Sequence, residues 1–185
     1  MPGRGADKQD SLTSRVQAEF PDALVVHRLD MATSGLMMFA RGAEMQRRLS
    51  HMFREREVQK GYVAVVEGRV EPAHGEVDLP LASDWPNRPK QKVDSVTGKH
   101  SLTHYRLLEH DIKTNTSRLE LEPVTGRTHQ LRVHMAAIGH PILGDALYGG
   151  KTSGRAERLL LHARVLNFAH PLSAEPLSLV CEPSF

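Results

Sequence analysis

One cysteine, Cys181, stands in the whole 185-residue chain. It has no intrachain partner for a disulfide, so the small secreted scaffolds stapled by disulfides are excluded. Long apolar runs are missing too. Leu36–Ala40 is about as long as they get, well short of the ~20 residues that a membrane-spanning helix needs. The opening MPGRGADKQD lacks the apolar core of a signal peptide. Net charge is small: 24 Lys+Arg against 22 Asp+Glu, a formal +2 with histidines neutral. Alone it gives no warrant for a polyanionic partner. No internal repeat or low-complexity tract is present. These absences leave a soluble, cytoplasmic protein of a reducing compartment as the expectation.

What is there is ordinary in amount and uneven in placement. A 39% hydrophobic and 25% charged composition is enough for a buried core and rules out global disorder. The length suits one domain. Residues 41–60 hold Arg41, Arg47, Arg48, Arg54, Arg56 and Lys60 against three acids, and 126–168 hold Arg127, Arg132, Lys151, Arg155, Arg158 and Arg164 against Asp145 and Glu157. The acids collect instead in 67–78 and 109–122. Such segregation can make a basic face on a nearly neutral protein, the footprint of a polyanion, although from composition alone solvated helix faces are the favoured account.

Residues 1–21 are polar, with one short helix expected over Ser11–Phe20. Strands are expected at Ala23–Val26 and Leu36–Ala40. Met45, Leu49, Met52 and Phe53 fall at i, i+4, i+7 and i+8, which predicts an amphipathic helix over Ala43–Glu57 with arginines outward. Tyr62–Val66 reads as a strand ended by Gly68. Residues 79–100, with three prolines, read as a long basic loop or hairpin. Ser101–Leu108 and Arg118–Glu122 read as paired strands. Thr128 is placed to N-cap a helix bearing Leu131, Met135 and Ile138, stopped at Gly139. Leu159–Phe168 and Leu177–Val180 close the chain as strands. The sum is an α+β protein: a mixed, mainly antiparallel sheet with flanking helices.

The segment His27-Arg28-Leu29-Asp30-Met31-Ala32-Thr33-Ser34-Gly35-Leu36 sets an arginine and a carboxylate in a polar turn just past a strand. Loops fixed between strands are favoured places for catalytic groups. Thr33 and Ser34 can hold such a loop by side-chain-to-backbone hydrogen bonds. A plain Arg28–Asp30 ion pair bracing the turn is the competing reading.

HRLDMATSGLMMFA resembles the central motif of the RluA family of pseudouridine synthases, H-R-L-D-x-x-T-S-G-L. The resemblance continues through Lys60–Ala64 (KGYVA), Gly126–His134 (GRTHQLRVH), Gly139–Asp145 (GHPILGD) and Leu160–Ala163 (LLHA), in the family's order, across residues 24 to 164. Leu79–Val93 (LPLASDWPNRPKQKV) further resembles the RluA branch, which modifies an rRNA hairpin and the tRNA anticodon stem-loop. The resemblance implies a pseudouridine synthase fold with a catalytic cleft, and an isomerase that needs no cofactor and no metal. It detaches uracil from C1′, rotates it and rejoins it through C5. Uridines of the 23S rRNA 746 type and the tRNA 32 type are the implied targets. Other rRNA uridines, or RNA binding without catalysis, are the alternatives.

Residue by residue, the resemblance implies Asp30 as the essential carboxylate, nucleophile or base. Arg127 would be its ion-pair partner, since a partly buried carboxylate protonates unless a fixed cation holds it charged. Tyr62 would stack on the flipped uracil and help remove the C5 proton, and Leu131 would line the uracil pocket. Arg28 would enter the space the nucleotide vacates. His27, Thr33 and Arg132 are further substrate-binding candidates. Arg88, Lys90 and Lys92, with Arg47, Arg48, Arg54 and Arg56, would grip phosphates. The read-outs left to alternatives are core or strand roles for Leu131 and Tyr62.

Two other chemistries compete. His129 and His134, with His140 and His162, invite a zinc reading, but the i, i+5 spacing does not align on one helical face and no cysteine lies near. A carboxylate-pair glycosidase needs a second acid near Asp30, for which Glu122 and Asp145 are the candidates. The family usually opens with a strand and a Lys-Pro-x-Gly turn, whereas only 29 residues precede Asp30 here. The expectation is therefore one catalytic domain over 1–185, incomplete at its N-terminus, with a poorly structured lead-in over 1–20. The protein is expected to be a monomer acting on RNA, with no membrane partner.

Overall fold

The computed structural model describes residues 10–185. In chain order the elements are α1 (Leu12–Glu19), β1 (Ala23–Val25), β2 (Ser34–Gly35), β3 (Phe39–Arg41), α2 (Gly42–Glu55), β4 (Gln59–Glu67), β5 (His74–Asp78), β6 (Leu81–Ser83), β7 (Gln91–Val93), β8 (Leu102–Asp111), β9 (Thr116–Pro123), α3 (Gln130–Ala137), β10 (Leu161–Ala169) and β11 (Pro176–Val180). The architecture is α+β with a mixed, mostly antiparallel sheet. The described residues fall into two compact units.

The first unit holds the described residues up to Leu29, with Met37–Val58 and Asn167–Leu177. Helix α1 opens on a capping box in which Ser14 N–H donates to Ser11 Oγ and Ser11 N–H donates to Ser14 Oγ. The expected short helix thus forms, and the part of the 1–20 lead-in from Leu12 to Glu19 is helical rather than poorly structured; residues 1–9 lie outside the described residues. β1 pairs antiparallel with β3, Leu24 opposite Ala40. The amphipathic pattern of α2 is realised with Leu49 and Met52 buried. Its arginines are outward, but two are held by neighbours on the helix: Arg48 by Glu44 at 2.7 Å and Arg54 by Glu55 at 3.0 Å.

The second unit holds Asp30–Leu36, Gln59–Leu166 and Ser178–Phe185. Its sheet has the strand order β11-β10-β4-β9-β8-β5, with β2 joined in parallel to β10. β4 and β8 both run antiparallel to β9, which places Tyr62 opposite Leu121 and Tyr105 opposite the same residue. The alternation in β9 is sharp. Leu119 and Leu121 are fully buried while Arg118, Glu120 and Glu122 point away. The core joins Ala64, Val66, Leu119 and Leu121 of the sheet to Leu131 and Met135 of α3 and to Ile142 and Leu159. Truncating Leu119 or Leu121 to alanine would cost about 2–5 kcal/mol, the usual range for such cavities.

Three expectations differ in detail. The strand expected over Leu36–Ala40 is realised only as β3 from Phe39, while Ser34 and Gly35 just before it pair with β10 as β2. β5 was not expected, since Val77 is its single buried residue. α3 is not capped by Thr128. His129 is the N-cap, in the left-handed region at φ 55°, and no side chain caps it. The Gln130 amide takes over locally. Its Oε1 accepts from Arg127 N–H at 3.0 Å and Thr125 Oγ at 2.7 Å, and its Nε2 donates to Leu102 O and Thr103 Oγ. A buried amide with all four bonds made stitches the loop before α3 to β8.

Candidate active site

The turn at Asp30 is built by short-range bonds and then riveted to the sheet. Thr33 N–H donates to Asp30 O at 2.9 Å, closing a four-residue turn with Met31 fully exposed at its tip. Ser34 and Gly35 then pair with His162 and Ala163. Gly35 sits at φ +108°, and a Cβ there would lie 2.2 Å from Ala163 O, so only glycine permits the approach. His162 Nε2–H donates to Cys181 O at 2.9 Å, which leaves Nδ1 to accept from Ser34 Oγ at 2.8 Å. Arg158 donates to the same hydroxyl. The T-S-G residues and the distant L-L-H-A block are thus one hydrogen-bonded seam, and its product is a fixed carboxylate.

Asp30 keeps 18% of its side-chain surface exposed. Its Oδ2 accepts from Arg132 Nη1 at 3.3 Å, and His129 Nε2 stands 3.9 Å from Oδ1. Arg132 itself is 5% exposed and is gripped on its other edge by Asp145, Nε to Oδ2 at 2.8 Å and Nη2 to Oδ1 at 2.7 Å. Its guanidinium carbon lies 5.2 Å from the Tyr148 ring centroid. Burial pushes the Asp145 carboxyl up, but hydrogen bonding and charge from Arg132, with the N–H groups of Leu147 and Tyr148, outweigh it and hold the group below the usual carboxylate range. Burial likewise works against the Arg132 charge, and Asp145 followed by Asp30 more than restore it. The fork geometry matters: a bidentate anchor on Asp145 leaves one N–H of Arg132 aimed at Asp30.

A second chain of bonds reaches the same carboxylate. Gln91 N–H donates to Tyr148 Oη at 2.8 Å, and Tyr148 Oη lies 2.7 Å from His129 Nδ1. With the phenol proton given to Nδ1, the imidazole carries its own proton on Nε2, facing Asp30. Tyr62, on β4, is partly buried against the core, and burial followed by the negative charge of Asp30 pushes its hydroxyl up to about 12. The phenol is therefore neutral at ordinary pH, and it lies within the field of Asp30.

The structure thus brings together Asp30, Tyr62 and Arg132 of the expected residues, and adds His129, Asp145 and Tyr148. It moves the ion pair. Arg127 is exposed, with its Nε donating to His100 O at 3.2 Å, and the partner of Asp30 is Arg132, five residues on. The reason is the helix start: Arg127 lies in the turn before α3, whereas Arg132 sits in the first turns of the helix on its buried side. Arg132, expected as a substrate ligand, is instead enclosed between two carboxylates. Leu131 is buried in the core cluster.

The remaining candidates have their own local surroundings. In the first unit His27 is partly buried, stacks on Phe53 with centroids 4.5 Å apart, and accepts from Met38 N–H through Nε2 at 2.9 Å. Arg28 is exposed. Thr33 contributes the turn's backbone bond. Within the second unit the guanidinium of Arg88 lies 4.2 Å over the Trp85 ring, Lys92 pairs with Asp94 at 3.1 Å, and Lys90 is partly buried. Residues 79–100 form the β6–β7 hairpin, Ala82 opposite Lys92, around a 3-10 turn at Trp85–Asn87.

The competing chemistries meet specific obstacles. His134 is fully buried between Thr103 Oγ and Leu79 O, and His140 Nδ1 faces Glu67 O at 2.8 Å. Among the described residues no three His, Cys, Asp or Glu side chains are grouped to hold a metal. Asp145 is the second acid, but Arg132 keeps it ionised and doubly bonded, which is the wrong state for a glycosidase's proton donor. Glu122 is held by Gln59 Nε2 at 3.0 Å.

The model of the RNA pseudouridylate synthase family matches residues 4–137, a span that takes in the Asp30 turn, Tyr62 and Arg132. The chain belongs to this family; it is an isomerase that makes pseudouridine in RNA. Among individual proteins, it is 53% identical over 172 residues to the dual-specificity RNA pseudouridine synthase RluA of Escherichia coli K12, spanning 92% of this chain and 78% of that one. It is 49% identical over 186 residues to the protein of the same name from Yersinia pestis, spanning 100% and 90%. The solved structure of human RNA pseudouridylate synthase domain containing 1 superposes with a TM-score of 0.83 at 31% identity, covering 95% of this chain and 75% of that one.

Proposed function

We propose that Asp30 is the carboxylate that acts on the target nucleotide, positioned by Arg132, and that Tyr62 receives the flipped uracil. The observation that carries this is the clamp: Arg132, anchored along its Nε–Nη2 edge by Asp145, presents one Nη1 N–H to a carboxylate that remains partly open. An ionised oxygen held beside the ribose serves either route, as nucleophile at C1′ or as base that starts glycosidic cleavage. In both the N1–C1′ bond breaks and a C5–C1′ bond forms. The C5 proton is lost and N1 gains one, so the product is an isomer and no cofactor is required. Tyr62 enters as a neutral phenol whose ring offers a stacking face for a base that has left its helix. Arg127 is left to the rim of the site.

The name of the relatives, dual-specificity RNA pseudouridine synthase, supports two RNA substrates for this chain. We take these to be an rRNA hairpin and a tRNA anticodon stem-loop, with uridines of the 746 and 32 types as targets, on the resemblance of Leu79–Val93 to the RluA branch. Shape and splayed bases would select them, and within the second unit Lys90 would add a phosphate contact. In this reading the protein acts as a cytoplasmic monomer. Tritium release from 5-³H-uridine in the two RNA fragments tests it. Release by the parent chain and none by Asp30→Asn is the expected result; undiminished release by Asp30→Asn removes Asp30 from the mechanism, and release from one fragment alone removes the dual specificity.

A further inference from the structure

The only tryptophan of the chain, Trp85, stands 66% exposed at the tip of the β6–β7 hairpin. One face of its indole is backed by the Arg88 guanidinium, 4.2 Å from the ring centroid. The tip is tightly bonded. Asp84 N–H donates to Lys90 O, Asn87 N–H to Asp84 O and Lys90 N–H to Asn87 O, each at 3.0 Å, while the Asn87 amide donates to Asp84 Oδ2 at 2.9 Å. The flanking acids are both occupied: Asp84 by Asn87, and Asp94 by Lys92 and by the N–H groups of Val96 and Thr97. From Trp85 to Lys92 the chain therefore shows an aromatic plane and three cations with no acid among them.

We propose that Trp85, with Arg88 behind it, is a stacking platform for an unpaired nucleobase of the RNA loop, a subsite separate from the pocket of the flipped uridine. It rests on the RNA-isomerase reading above. The guanidinium holds the indole in one orientation by a cation–π contact, so little rotamer freedom remains to be lost when a base arrives. A flat π-face tolerates any base, and the adjacent Lys90 suits the neighbouring phosphate. The platform is also registered to the chemistry within the same unit. Its hairpin gives Gln91 N–H to Tyr148 Oη, and that hydroxyl orders the His129 ring facing Asp30. A base seated on Trp85 thereby fixes where the RNA loop stands relative to the carboxylate.

Because Trp85 is the sole tryptophan, its emission reports the subsite directly. The full chain carrying Asp30→Asn, which blocks turnover, is titrated with a 5′-labelled stem-loop RNA, a blunt duplex of equal length and heparin. Label anisotropy or, for heparin, competition gives binding, and tryptophan emission gives stacking. The expected result is quenching by the stem-loop with the same midpoint as the anisotropy, and binding without quenching for duplex and heparin. Trp85→Ala should weaken stem-loop binding about 5- to 100-fold, the range for one stacked base, with Trp85→Phe recovering most of it. Stem-loop binding with emission unchanged and Trp85→Ala binding like the parent overturns the platform. Equal quenching by heparin overturns base stacking in favour of a phosphate effect. Failure of tritium release by the parent chain is a separate result and removes the isomerase reading itself.

Discussion

Asp30 and Asp145 share one arginine and differ in nearly everything else. Asp145 has no exposed side-chain surface and accepts four hydrogen bonds, two from Arg132 and two from the N–H groups of Leu147 and Tyr148. Asp30 accepts one longer bond from Arg132 and stays open to solvent on a turn. The same residue type thus does two jobs. A buried carboxylate bonded through both oxygens is an anchor closed to a ligand; one held by a single fixed cation and still open to solvent has an oxygen available for chemistry. The difference predicts opposite responses to the same isosteric change.

Asp30→Asn should lower the pseudouridylation rate by about 10⁴-fold or more, the scale on which residues at a reacting centre act, with the melting temperature nearly unchanged. A melting temperature that collapses together with the rate would mean that Asp30 is an anchor as well. Asp145→Asn should behave in reverse. It leaves Arg132 buried against a neutral amide, at a cost of about 3 kcal/mol in urea unfolding, with loss of rate following from the freed guanidinium. If that variant kept parental stability, the two carboxylates would be closer in kind than their surroundings indicate.

Arg132→Lys keeps the charge and loses the fork. Because an ammonium cannot hold Asp145 in bidentate fashion and reach Asp30 together, a rate loss of about 10²-fold is expected in single-turnover assays. The acid limb of stability offers a gentler measure. The folded Asp145 carboxyl lies below its ordinary value, so below about pH 4 the unfolded chain takes up a proton that the folded one refuses. Stability from this group is therefore complete above about pH 4 and is lost as pH falls through the depressed folded value. Its slope is at most about 1.4 kcal/mol per pH unit, and it should vanish in Asp145→Asn. Arg127→Ala should have the smallest effect, less than about 3-fold in rate, as befits an exposed side chain. A loss near that of Arg132→Lys would return Arg127 to the partnership with Asp30.

How far the sequence went is visible in particular residues. The alternation of Leu119 and Leu121 and the helical spacing of Met45, Leu49, Met52 and Phe53 were legible because each element buries one face, and the period is a local property. β5 was not, since a strand with one apolar side chain carries no period. Gly126-Arg127-Thr128-His129-Gln130-Leu131-Arg132 contains two arginines of the same chemistry, and spacing could not choose between them. What separates them is that α3 begins at Gln130 and turns Arg132 into the protein, while Arg127 remains in the exposed turn before it. Tyr148 left no sequence signal. Its importance comes from two bonds, to Gln91 and His129, from segments 57 and 19 residues away. The contacts of His27 with Phe53 and Met38, 26 and 11 residues on, likewise left no local signal.

By itself the sequence determined which chemistry is available and where: a carboxylate on a turn between strands, an aromatic on a strand, basic segments, and no thiol pair. Residue type, turn propensity and periodicity act over a few residues, so they can be read in one dimension. The tertiary structure alone decided that Arg132 rather than Arg127 holds Asp30, that Asp145 holds Arg132, and that Tyr148 orders His129. Asp30 and Arg132 are 102 residues apart, and a bond of about 3 Å between side chains so distant depends on burial and strand register that no local pattern encodes.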